Sequence, residues 1–172
     1  MSHHEHKAGA PIKARIYYLT ISDTRTEVDD SGGALAREMI EAYGHDVVGY
    51  TIVRDEPAEV ASVVRAVAAR GGADVILTSG GTGISRRDTT YEALSGLLQQ
   101  RLDGFGELFR MLSYKEIGAA AMLSRAVAGV HNGVFVFAMP GSTNAVKLAL
   151  GELILPELEH LLRERKKGGH GA

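Results

Sequence analysis

The apolar positions of this chain follow two alternating periods. Residues 14–21 form a β-branched and aromatic run that stops at Ser22-Asp23-Thr24-Arg25, after which Leu35, Met39, Ile40 and Tyr43 recur on one helical face behind Ser31. The first unit is therefore a strand, a long loop and a helix. Residues 46–53 repeat the strand pattern, and Arg54-Asp55-Glu56-Pro57 turns the chain into a second helix marked by Val60, Val63, Val64 and Val67, with Pro57 in its first turn. A third strand over 74–78 is short and apolar enough to be buried on both faces of a parallel sheet.

Thr89-x-x-Glu92 has the spacing of a capping box and predicts a helix to about residue 100, followed by a second helical stretch over 103–117. His131-Asn132-Gly133 between the apolar runs 126–130 and 134–139 is a strong hairpin signal, so this pair should be antiparallel. Pro140-Gly141-Ser142 ends the last strand, and a helix over 143–165 follows, with Pro156 expected to kink or split it. Strands alternating with helices predict an α/β fold, a three-layer α/β/α sandwich whose mostly parallel sheet carries an antiparallel edge hairpin.

A chain of 172 residues, 45% apolar and 23% charged, suits one globular domain. We place that domain over 12–165, between a flexible extension over 1–11 and a flexible tail over 166–172. His3, His4 and His6 suit either a polar tail or a metal chelator. The net charge of −2 gives no electrostatic footprint for nucleic acid. No apolar run reaches the roughly 18 residues of a membrane span and the start lacks the apolar core of a signal peptide, so the cytoplasm is the expected setting. The absence of cysteine removes thiol nucleophiles and thiolate metal sites.

The candidate chemistry centres on Thr78-Ser79-Gly80-Gly81-Thr82-Gly83 and the Arg86-Arg87-Asp88 that follows. Glycines and hydroxyls at the carboxyl end of a buried strand leave backbone N–H groups open to an anion, the usual phosphate site of an α/β sheet. Ser22-Asp23, Asp55 and the turn around Pro140, Gly141, Ser142 and Asn144 also follow strand ends and should gather at the same edge. Anions held by amides and arginine, with aspartates left over, suggest a metal ion bridging acid and phosphate.

Each of these residues has a second reading. Asp55 and Asp88 also suit helix capping, Arg86 and Arg87 also suit solvated loop charges, and Asp29, Asp30 and Ser31 or Thr143 and Asn144 also suit helix starts. Ser124 fits binding better than nucleophilic attack, since His45, His131 and His160 lie in surface-like settings and support no triad. The chain lacks the Gly-Lys-Ser/Thr ending of a P-loop and a G-x-G-x-x-G turn after its first strand.

Six stretches carry a family resemblance: Leu19-Thr20-Ile21-Ser22-Asp23, Thr78-Ser79-Gly80-Gly81-Thr82-Gly83, Arg87-Asp88, Gly104-Phe105-Gly106-Glu107, Met122-Leu123-Ser124-Arg125-Ala126-x-Ala128-Gly129 and Met139-Pro140-Gly141-Ser142. In order and spacing they resemble the MoaB and MogA proteins of molybdenum cofactor biosynthesis, whose domain is also the G domain of gephyrin and of a plant counterpart. Residues 109–118 look closer to the MoaB branch.

The resemblance implies a molybdopterin adenylyltransferase, which joins the terminal phosphate of molybdopterin to AMP from ATP, releases pyrophosphate and requires Mg²⁺. Carried over by position, Asp55 and Asp88 are the acidic pair tied to catalysis and metal. Ser22, Asp23, Ser79, Gly80, Gly81, Thr82, Gly83, Pro140, Gly141, Ser142 and Asn144 would contact nucleotide or pterin, and Ser124 would contact molybdopterin. The chain departs from many relatives at Thr89-Thr90-Tyr91, where they carry Val-Thr-Pro, and at Thr143, where they carry Pro or an equivalent. The family also implies a homotrimer or homohexamer with contacts in 108–122 and 8–12, and hand-over to a molybdate-inserting MoeA-type protein. The competing class is a paralogue that binds molybdopterin without adenylylating it; retention of both Asp55 and Asp88 favours the enzyme.

Overall fold

Alternation along the strands sorts the core into two clusters, one on each face of a single sheet. The computed structural model describes residues 10–168, so residues 1–9, with His3, His4 and His6, and residues 169–172 lie outside the described residues. Six strands, β1 (Arg15–Ile21), β2 (Asp46–Val53), β3 (Val75–Ser79), β4 (Gln100–Arg101), β5 (Val127–His131) and β6 (Val134–Met139), form that sheet in the order β2-β1-β3-β6-β5-β4. The first four strands in that order run parallel, while β5 is antiparallel to both of its neighbours.

In β6, Phe135, Phe137 and Met139 point to one face, and Val134, Val136 and Ala138 to the other. The first face is covered by α1 (Ser31–Ala42), α4 (Asp103–Ile117), α5 (Thr143–Leu148) and α6 (Leu155–Lys167), through residues such as Ile40, Phe109 and Leu158. The second is covered by α2 (Pro57–Arg70) and α3 (Thr90–Ser95) through Val60, Val64, Val67 and Leu94. These are the three layers expected from the pattern. No helix among the described residues is long and apolar enough to cross a membrane.

Four local expectations are corrected. Asp30, not Ser31, caps α1: its carboxylate accepts from the Gly33 amide at 3.0 Å. Thr89 precedes α3 without a capping bond from its side chain, because its hydroxyl is turned to Asp55 and Glu92 pairs with Arg125. Helix α3 ends at Ser95, and Gln100 and Arg101 add an edge strand to β5, so the hairpin is interior. A strand of two exposed residues has no apolar pattern to betray it. Pro156 does not split the last helical run, which continues from Thr143 through a π-helical segment, Ala149–Ile154, to Lys167. Proline lacks an N–H and its ring excludes the carbonyl four residues back, and the wider π turn sits immediately before it. The Asn132-Gly133 turn matches its signature, with φ of 45° and 77°.

Asp30 ties three elements together. Besides capping α1, it accepts from the hydroxyls of Thr20 on β1 and Tyr50 on β2, each at 2.6 Å. Burial raises its pKa, but the two hydroxyls and the Gly33 amide outweigh it and hold the carboxyl below the usual aspartate value. Its stabilising contribution is thus fully present above about pH 4, the unfolded aspartate range, and is lost as pH falls through the lower folded pKa. Asp30→Ala is expected to destabilise the fold by about 3 kcal/mol, the sum of a lost cap and buried hydroxyls left without an acceptor. Urea unfolding at pH 7 measures this, and a loss below about 0.5 kcal/mol, the scale of a neutral surface change, contradicts it.

Candidate active site at the carboxyl edge of the sheet

Because β2, β1, β3 and β6 are parallel and nearly in register, their carboxyl ends form one line: Ile21 lies beside Val53, Thr20 beside Ser79, and Ser79 beside Met139. The loops that leave them are stitched together by main-chain bonds. Ser22 N–H donates to Val53 O at 2.9 Å, Gly80 N–H to Met139 O at 3.0 Å, and Thr90 N–H to Gly81 O at 3.0 Å. Gly80 has a φ of 104°, and a Cβ there would collide with the Ile21 carbonyl; a Cβ on Gly141 would lie 3.1 Å from Gly80 Cα. These two glycines thus let three loop backbones pack against one another.

Asp55, which follows β2, is buried at this edge. Its amide donates to Asp23 Oδ1 at 3.1 Å, and its Oδ1 accepts from Thr90 Oγ1 at 3.1 Å and Thr89 Oγ1 at 3.4 Å. A Cβ on Gly81 would lie 2.8 Å from Asp55 Oδ2, so the glycine is what admits the carboxylate to the loop. Burial pushes the pKa of Asp55 above the ordinary value; bonds from Thr90 and Thr89 oppose this, and the charge of Asp88 adds to the upward push.

Neither aspartate is a helix cap. Asp88 folds back into its own loop, where Oδ2 accepts from the Ser85 amide at 3.0 Å, and the N-cap position of α2 is Glu56, which makes no side-chain capping bond. Arg87 is engaged elsewhere, pairing with Asp23 at 2.8 Å and Glu56 at 3.1 Å on the surface. Among the described residues, the carboxylates of Asp55 and Asp88 thus border the same glycine-rich loop, at Gly81 and Gly83 respectively, and neither has a salt-bridge partner.

The remaining candidates divide. Ser22 Oγ organises its own turn, accepting from the amides of Thr24 and Arg25. Ser79 is buried, and its hydroxyl accepts from Tyr18 OH at 2.8 Å. Thr82 is buried between the half-buried Gly81 and Gly83, and the loop becomes exposed from Ile84. Ser142 caps α5 through the Ala145 amide at 3.1 Å, and Pro140 joins that turn to β6. Asn144 is set apart, lining a cavity of about 410 Å³ with Met39, Glu116, Lys147 and others, which no other candidate lines. Ser124 is half-buried at the end of a 3₁₀ turn, Gly118–Leu123.

Two contributors were not assigned from the sequence. Thr90 supplies the hydroxyl on Asp55, and Arg125 reaches back over forty residues of sequence to the glycine-rich loop, donating to Thr82 O at 2.9 Å and to Gly83 O. Arg125 stood inside a quoted motif, but nothing local reveals where its guanidinium ends.

Two carboxylates without a salt-bridge partner, bordering the glycine-rich loop, fit Mg²⁺, which takes one or two protein carboxylates and completes its shell with water and substrate phosphates. Among the described residues no group of three or more His, Asp or Glu converges into an all-protein metal cage. The edge therefore suits a metal that arrives with a phosphorylated ligand.

The comparisons with known proteins agree with this geometry. Residues 17–160 match the family model described as "Probable molybdopterin binding domain". Molybdenum cofactor biosynthesis protein B of Halalkalibacterium halodurans is 53% identical over 165 residues, covering 95% of this chain and 97% of the relative. A crystal structure of a molybdenum cofactor biosynthesis protein B superposes with a TM-score of 0.90 at 49% identity, covering 92% of this chain and 99% of that one. A MogA structure superposes with a TM-score of 0.77 at 29% identity, covering 88% and 99%. The chain belongs to the molybdopterin-binding family of molybdenum cofactor biosynthesis proteins, on the branch of molybdenum cofactor biosynthesis protein B.

Proposed function

We propose that this protein adenylylates molybdopterin: the terminal phosphate of the pterin attacks the α-phosphorus of ATP, a P–O bond forms, and the bond to pyrophosphate breaks. The observation that carries the reading is the pair Asp55 and Asp88, both bordering the glycine-rich loop and neither with a salt-bridge partner among the described residues. A phosphate monoester is already an anion at neutral pH, so the reaction needs no strong general base. It needs charge neutralisation and in-line positioning.

The residues divide that work. Asp55 and Asp88 would hold Mg²⁺, which supplies charge neutralisation at the phosphates. The upward push on the Asp55 pKa supports this, since a carboxylate strained by burial and by a like charge gains most from a cation. Amides over 81–83 would meet the nucleotide phosphates, and Ser124 would hydrogen-bond the pterin. The exposed apolar side chains of Leu108, Met111, Tyr114, Ile117, Met122 and Leu123 support self-association as a trimer or hexamer.

The test is incubation of the pure protein with molybdopterin, α-labelled ATP and Mg²⁺. Transfer of labelled AMP to the pterin with release of pyrophosphate is expected; tight molybdopterin binding without transfer would make the protein a binding module instead. Asp55→Asn and Asp88→Asn should each lower turnover by about 10²-fold or more, the scale of one preorganised electrostatic contact, with folding preserved. Near-normal rates in both variants at saturating Mg²⁺ would sink the metal-site reading.

Ser124→Ala separates hydrogen bonding from covalent catalysis. Loss of one buried partner should weaken molybdopterin binding or slow transfer by about 1–3 kcal/mol. Abolished transfer with intact binding, or a stable AMP adduct on Ser124 in the mass spectrum of the wild type, would overturn direct attack.

A further inference from the structure

The geometry points to Arg125 as a positioning residue that fastens both ends of the loop over 82–88 and thereby fixes Asp88 against Gly83. This inference rests on the adenylylation reading for its kinetic consequence but not for its structural one. Arg125 Nε donates to Thr82 O at 2.9 Å, and Nη2 donates to Gly83 O and to Asp88 O, the last at 3.4 Å. Three main-chain carbonyls, two where the loop begins and one where it ends, thus converge on one planar guanidinium. The residues between them, 84–87, are exposed and carry the Ser85 amide that holds the Asp88 carboxylate.

The same guanidinium pairs with Glu92 and lies over the Tyr91 ring, 4.7 Å from its centroid. The ring and the carboxylate aim the fork at the carbonyls, but Glu92 is largely exposed, and an exposed ion pair contributes little. The carbonyl contacts are therefore the functional ones. Lysine cannot replace them, because an ammonium on a flexible stem does not present the fixed fan of donors. Ser124, the residue proposed to touch the pterin, is its immediate neighbour in the chain.

The test compares Arg125→Lys with Glu92→Gln. Amide hydrogen exchange without any substrate is expected to rise at least tenfold over 83–88 in Arg125→Lys, with the β5–β6 hairpin and the urea midpoint close to wild type, and to stay within about threefold of wild type in Glu92→Gln. Unchanged exchange in Arg125→Lys, or equal acceleration in both variants, overturns the inference whatever the activity. In adenylyl transfer, Arg125→Lys should lower kcat by about tenfold or more with a smaller change in the KM for molybdopterin. Combined with Asp88→Asn it should add almost nothing, since both act through Asp88. Losses that multiply in the double variant overturn the route through Asp88. If the wild type transfers no AMP, the proposed reaction fails while the exchange result still decides the role of Arg125.

Discussion

The site depends on one close approach, the packing of the β3 exit between the exits of β1 and β6. A side chain at Gly80 would collide with the Ile21 carbonyl, and one at Gly141 would press on Gly80 itself. Without that approach the loops would stand apart by the width of a side chain. With it, the chain from Gly81 onward is delivered to Asp55, and the Thr90 amide can close on Gly81 O. The glycines are therefore scaffolding first, and whatever the loop binds is bound by amides that the scaffolding has aimed.

Charge follows from the same constraint. Asp55 reaches a buried position because Gly81 leaves room for it, and burial then raises its pKa while Asp88 raises it further. The arginine next to Asp88 in sequence is spent on Asp23 and Glu56, and the arginine that does touch this loop, Arg125, touches its carbonyls and Glu92. Negative charge at Asp55 and Asp88 is left without a salt-bridge partner among the described residues. Asp30 shows the contrasting case, a buried carboxylate given three donors and so held ionised as a structural joint.

The layers, the parallel sheet and the hairpin were legible because period-two and period-3.6 patterns and an Asn-Gly turn are local signals. The convergence of Ser22-Asp23, Asp55 and the glycine-rich loop was legible for the same reason: parallel strands must end on one edge. Edge strand β4 was not, since two exposed residues carry no pattern, and the way Pro156 is accommodated, by a π turn before it, leaves no mark in the sequence. Capping roles at Asp55 and Asp88 could be dismissed only from coordinates, where one carboxylate meets Thr90 and the other Ser85. Asn144 follows the Pro140-Gly141-Ser142 turn and lines a cavity with Glu116 and Ile117 of α4.

The central claim is that the carboxyl edge of the sheet receives the phosphates of the nucleotide. Titrating Mg²⁺–ATP into the ¹⁵N-labelled protein tests it most directly. The largest amide shifts are expected at Asp55 and over 81–83 and 88–90, and they should be lost or strongly weakened in Asp55→Asn. Shifts centred instead on the cavity lined by Gln100, Leu102, Phe135 and Arg165, with the glycine-rich loop unmoved, would contradict it.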